Sequence, residues 1–217
     1  MGCQMTEQRA EQITYQIGLS LGTRSGMSGL SVVEQIGVQE SNGPQQVTCN
    51  VRHLERFDAG ASYPSIIERI KNLCTAEPLS TNRPNLIIDA TAVGLAVADM
   101  FKRAVVMAEI ITVTITGGFE VSEPARHNFL VPKRELVSTI DAMLQSDRLR
   151  IARQLTEASV LTGALQGFQL KTKEITAEAT SMLWREDGQD DLVFAVALAC
   201  WYARRPVFFS ITHDFDV

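Results

Sequence analysis

This chain is short of the features that would assign it to several large classes at once. It has no apolar run of the roughly 20 residues that a membrane-spanning helix needs. The longest, "DLVFAVALACWYA" at 191–203, is too short and predicts a buried helix. The N-terminus is polar and shows no secretory signal. There are four cysteines (Cys3, Cys49, Cys74, Cys200), scattered and without a C-x-x-C pair. That argues against a structural zinc site and against a disulfide framework. A reducing, cytoplasmic setting with no membrane partner is the simplest expectation. Cys49 and Cys200 lie in apolar segments, as small core residues do. His53, His127 and His213 stand far apart and show no metal-ligand spacing. No internal repeat, low-complexity tract or long Pro/Gly linker divides the chain. Charge of one sign is in little excess: the net value of -5 neither requires nor excludes a nucleic-acid partner, because basic residues can gather on one face.

What is there is an ordinary globular composition. Of 217 residues, 45% are hydrophobic, enough for one well-filled core or two small ones. Residues 15–21 and 28–35 read as two strands joined by the turn "GTRSGM", a hairpin. A third strand covers 46–57, where Val47, Cys49 and Val51 alternate, and Leu54 and Phe57 continue the apolar face less cleanly. Ile66, Ile67, Ile70 and Leu73 recur at helical spacing over 63–73. The run Leu86-Ile87-Ile88 has the character of a buried parallel strand and ends at Asp89. A helix over 94–103, a strand over 109–115, a Gly- and Pro-containing excursion over 117–132 and a helix over 133–146 follow. "RLRIA" reads as a short strand or an extended link. Residues 154–167 read as helix, "FQLKTKEITAEATS" as an extended pair, and 190–204 as a last helix, apolar nearly all round. Three strands followed by strands separated by helices predict one α/β domain.

Two acidic positions stand out. Asp89 lies at the carboxyl end of a buried strand, where open α/β sheets place their ligands. An Asx turn closing the strand is the plain structural alternative. Asp190 and Asp191 begin a buried helix, where a carboxylate is stabilised by free N–H groups and the dipole; capping is the alternative there.

The segments "IGLSLGTRSGMSGLSVVEQ", "VRHLERF", "LIIDATAVGLAVADMFKRA", "VTITGG", "VPKRELVSTIDAMLQSDRLRIA" and "GQDDLVFAVALACWYA" occur in this order. Together they resemble the C-terminal nuclease domain of phage terminase large subunits, the DNA-packaging motor proteins. The resemblance runs over residues 13–205, with 1–12 as a flexible N-terminus and 206–217 as a tail. It implies a ribonuclease H-like fold with a central mixed sheet of about five strands. It also implies metal-dependent cleavage of double-stranded DNA, with Mg²⁺ or Mn²⁺ as a pair of ions about 3.5–4 Å apart between carboxylates. The family's domain follows an ATPase. This chain has no G-x-x-x-x-G-K-[ST] motif, so the resemblance implies a stand-alone relative or an excised domain. Implied partners are a separate packaging ATPase, a portal or a small terminase subunit.

Carried over residue by residue, Asp89 matches the acid on the central strand and Asp191 the acid on the final helix, with Asp190 beside it. The first acid falls on Ser20, and a second Asp often found after it falls near Gly26. Ala92 stands where a Gly is common, and Gln189 replaces a frequent His. A neutral hydroxyl is a poor ligand for a hard dication. The resemblance therefore implies a nuclease architecture with weakened or silent cleavage, a DNA- or partner-binding relative being the alternative and a junction-resolving nuclease another. Glu34 is the nearest acid that could substitute, but hairpin pairing places it away from Ser20. Lys133 and Arg134, opening a helix after Pro132, are candidate phosphate contacts. Arg148, Arg150 and Arg153 form a second basic group, and Arg24, in the turn after Ser20, is a further candidate DNA-binding residue, expected to reach into the vacant metal region. Trp184 and Trp201 are expected core aromatics.

Overall fold

The first three strands, β1 (Glu11–Ser20), β2 (Ser28–Val38) and β3 (Gln46–Phe57), form an antiparallel meander. The computed structural model describes residues 11–22, 26–38, 46–91, 95–174 and 190–205. After β3 the chain alternates helices and strands: α1 (Tyr63–Cys74), β4 (Asn85–Asp89), α2 (Leu95–Arg103) and β5 (Glu109–Thr116). Then come β6 (Ser122–Ala125), β7 (Asn128–Pro132), α3 (Lys133–Gln145), β8 (Leu149–Ile151), α4 (Ala158–Glu174) and α5 (Asp191–Ala203). All strands among the described residues join one mixed sheet in the order β6-β7-β5-β4-β1-β2-β3-β8.

The expected sheet of about five strands is thus an eight-stranded one. The first five are those the sequence predicts. The excursion at 117–132 contains two more, β6 and β7, an antiparallel pair added to β5. Exposed, Pro-containing β6 has little periodicity to betray it. "RLRIA" resolves as a strand, β8, parallel to β3. The helix expected over 154–167 begins later and runs on to Glu174, so the extended pair expected from 168 is helical in its first part; the rest lies outside the described residues.

β4 explains the layering. Leu86 and Ile88 point to one face of the sheet, Ile87 to the other, and all are fully buried, as a central parallel strand requires. On the first face Ile66, Ile70 and Phe101 of α1 and α2 cover Ile17, Leu19 and Leu30. Ser62 caps α1 by accepting from the Ser65 amide at 3.3 Å. On the second face lies α5, beneath α3 and α4. A helix sandwiched between a sheet and other helices needs no polar face, so the apolar run at 191–203 is buried almost throughout. Cys49, Cys200 and Trp201 belong to this core, as expected.

Two glycines let α5 lie directly on the sheet. A Cβ on Gly18 would stand 1.8 Å from the Ala195 carbonyl oxygen, and one on Gly29 2.5 Å from the Asp191 carbonyl. Among the described residues no helix is long and apolar enough to cross a membrane.

Candidate functional site

The pairing of β1, β2 and β3 aligns Ser20 with Gly29 and Gly29 with Arg56. Residues opposite one another in a sheet share a face, so this row faces α5. β1 and β4 run parallel with Leu19 beside Ile88. One residue further along each strand stand Ser20 and Asp89, again on the α5 side. Gly29 receives the first turn of α5, which brings Asp191 over the same row. The fold therefore gathers Ser20, Asp89 and Asp191 at one end of the sheet, and all three are buried. Asp190 stands at the N-cap of α5. Its backbone oxygen accepts from the Phe194 amide at 2.9 Å, but its side chain makes no cap bond.

Asp191 is held by an arginine that the sequence reading does not single out. Arg56 Nε donates to Asp191 Oδ2 at 2.9 Å and Nη2 donates to Oδ1 at 3.0 Å. This is the two-pronged guanidinium–carboxylate geometry. The side chains are 16% and 6% exposed, so the pair is largely withdrawn from water. Its hydrogen bonds to Asp191 push the Arg56 pKa up against the opposing pull of burial, and Glu157, at the entry to α4, adds a smaller attraction. Asp89 Oδ1 accepts from the Thr91 amide at 2.9 Å, so the Asx turn is present. Thr91 Oγ1 in turn accepts from the Ile115 amide at 2.7 Å, which fixes the turn to β5.

A pair of divalent ions does not fit this donor set. Ser20 offers a neutral hydroxyl where the resemblance expects a carboxylate, and both oxygens of Asp191 accept from Arg56. Among the described residues no three His, Cys, Asp or Glu side chains come together to hold a metal. Glu34 does not replace the missing acid. It stands opposite Tyr15, five residues along β1 from Ser20, and binds Arg52 and Asn50 instead. His53 and His127 face Glu55 and Glu109, as structural histidines do.

The basic residues divide. Lys133 Nζ lies 5.4 Å from the centre of the Phe194 ring, one turn along α5 from Asp191, which puts it beside the site. Arg134 instead stacks on exposed Phe119 and donates to its carbonyl oxygen, fastening the segment before β6. Arg150 and Arg153 are exposed and Arg148 is half-buried. Arg24, Ala92, Trp184, Gln189 and His213 lie outside the described residues.

No protein-family model matches the chain, and no curated protein matches it either. Among solved structures, the large terminase nuclease from thermophilic phage G20c superposes with a TM-score of 0.50 at 17% identity, over 90% of this chain and 84% of that one. The fold is ribonuclease H-like. Thermus thermophilus RuvC aligns with a TM-score of 0.40 at 15% identity, over 88% of this chain and 93% of that one. Within this fold the row Ser20, Gly29 and Arg56 crosses β1, β2 and β3, with Asp89 at the end of β4 and Asp191 at the start of α5.

The arrangement departs from the sequence expectation chiefly at Arg56. "VRHLERF" contains it, but alternation from Val47, Cys49 and Val51 assigns it to the opposite face. A β-bulge decides otherwise. Val32 pairs with His53 and Val33 with Val51, so Arg52 is the extra residue and the facing shifts by one. Leu54 and Arg56 thereby join Val51 under α5, whereas Phe57 packs on the other face.

Proposed function

We propose that this chain is a nuclease-type domain, akin to that of the terminase large subunit, that engages double-stranded DNA and cuts it poorly or not at all. The observation that supports this most is the gathering of Ser20, Asp89 and Asp191 at one sheet end, with Asp191 already engaged by Arg56. Asp89 and Asp191 occupy positions that a phosphodiester-cleaving site needs, and Ser20 is the defect. Lys133, beside α5, supplies positive charge for a phosphate. The resemblance to the terminase nuclease suggests a cytoplasmic role in DNA packaging, with a separate ATPase, portal or small terminase subunit as partner.

The test is nicking of supercoiled plasmid with Mg²⁺ or Mn²⁺, run beside a gel-shift assay on linear duplex. Four proteins are compared: the unaltered chain, Asp89→Asn, Ser20→Asp and Ser20→Asp/Asp89→Asn. The expected result is duplex binding by the unaltered chain with no nicking, and weak nicking gained with Ser20→Asp, where Arg56 still holds Asp191, and lost again with Asp89→Asn. Nicking by the unaltered chain that Asp89→Asn abolishes would show an intact nuclease and remove the silencing role given to Ser20. Absence of both nicking and duplex binding in every protein would remove the DNA reading.

A further inference from the structure

We infer that Arg56 is the resident cation of this site: its guanidinium takes the place of a metal on Asp191 and keeps divalent ions out. The inference rests on the nuclease-type reading of Ser20, Asp89 and Asp191 given above. It goes beyond it because a missing acid explains weak metal binding, whereas a bound arginine makes metal exclusion a built property of the fold.

Three observations carry it. First, the pairing is geometric and complete at the carboxylate: Nε and Nη2 each reach a different oxygen, at 2.9 and 3.0 Å. A divalent ion using those oxygens would displace the guanidinium or lie against its fixed positive charge. Second, the pairing is set by backbone structure. The bulge at Arg52 turns residue 56 to the α5 side, and Gly29, opposite Arg56, has no Cβ to hold the first turn of α5 away. An arginine pulled onto a carboxylate merely by exposure would need neither device. Third, the two residues that set the charge of the site are neighbours: the neutral Ser20, which stands where the resemblance expects a carboxylate, and the guanidinium of Arg56 lie in one row across β1, β2 and β3. Glu157 also acts on Arg56 electrostatically, so the cation answers more than one acid. A dication bridging carboxylates and a guanidinium forked onto one of them are alternative ways to neutralise buried negative charge. This chain has the second.

The experiment is Mn²⁺ binding followed by electron paramagnetic resonance, with melting temperature as a second readout; neither needs cleavage. The proteins are the unaltered chain, Ser20→Asp, Ser20→Asp/Arg56→Gln, Ser20→Asp/Arg56→Lys, and Ser20→Asp/Arg56→Gln/Asp191→Asn. The expected result is no binding and no Mn²⁺-dependent melting shift for the unaltered chain. Ser20→Asp/Arg56→Gln should bind at least about tenfold tighter than Ser20→Asp alone, a difference lost with Asp191→Asn. Ser20→Asp/Arg56→Lys, which keeps the charge, should bind Mn²⁺ no more tightly than Ser20→Asp, and it keeps the test decisive if the Gln variant fails to fold.

Mn²⁺ binding by the unaltered chain through Asp191 would overturn the inference. So would equal affinity in Ser20→Asp and Ser20→Asp/Arg56→Gln, or tighter binding by the Lys variant than by Ser20→Asp; either would leave the nuclease-type reading standing. Folded variants that all fail to bind Mn²⁺ would overturn both, since restoring the acid and removing the arginine would then not recreate a metal site.

Discussion

Arg56, near the end of β3, holds Asp191, the first residue of α5, by two hydrogen bonds to its two carboxylate oxygens. At the other end of the same helix Gln35 Nε2 of β2 donates to the Ala203 carbonyl oxygen at 2.9 Å. The meander therefore grips both termini of the buried helix, where backbone and side-chain polar groups would otherwise lack partners.

Removing one member of a largely buried ion pair leaves the other charged and poorly solvated. Arg56→Ala is expected to cost about 3–5 kcal/mol of stability. Arg56→Ala/Asp191→Ala, which removes both charges, should cost less than the single change. Urea unfolding of the two variants checks this, and an Arg56→Ala midpoint equal to that of the unaltered chain would contradict it.

Gln35→Leu tests the opposite terminus. Gln35 Oε1 also accepts from Gln16 Nε2 at 2.7 Å and from Thr14 Oγ1 at 2.9 Å, and Asn85 Nδ2 donates to Gln16 Oε1 at 3.0 Å. Leucine would leave the Ala203 carbonyl without its side-chain donor. The expected cost is about 1–3 kcal/mol, with faster amide hydrogen exchange confined to the last turn of α5.

Gly18→Ala is predicted to be among the most damaging single-methyl changes in the chain. Its Cβ would overlap the Ala195 carbonyl, which is backbone of a buried helix and cannot rotate aside. A loss of at least about 3 kcal/mol, seen in thermal melts, is expected.

Acid should weaken the β2–β3 surface before the core. Burial by itself would raise the Glu34 carboxyl, but hydrogen bonds from Asn50 and Arg52 bring it below the usual range. Burial likewise opposes, and Arg69 and His53 outweigh it, at Glu55. Both groups are lower in the folded state, so their contribution is fully present above the ordinary value of 4.5 and is lost as pH falls through the folded values. Glu34→Gln/Glu55→Gln should flatten the decline in stability that denaturant melts record below that pH.

Lys133→Ala should weaken duplex binding and lower the dependence of affinity on salt by about one phosphate contact. Arg134→Ala should change it less, because that guanidinium is stacked on Phe119. Equal losses in a salt titration would show that both face DNA.

Elements with strong local signals were legible in the order of the amino acids. β3 runs over 46–57 as its period of two predicts at the start, α1 and α3 follow their apolar spacing, and the unbroken apolar runs mark β4 and α5 as central. Asp89 and Asp191 were legible because each ends or begins such a run. The added hairpin was not. β6 and β7 owe their pairing to each other and to β5 rather than to a pattern of their own, and β8, parallel to β3, was legible only as a short strand or an extended link. Arg56 was hidden for a sharper reason. Side-chain facing in a strand is decided by counting residues, and one bulged residue at Arg52 inverts the count for everything after it. Only pairing with β2 reveals that inversion, so tertiary structure alone decided that a cation, and not solvent, meets Asp191.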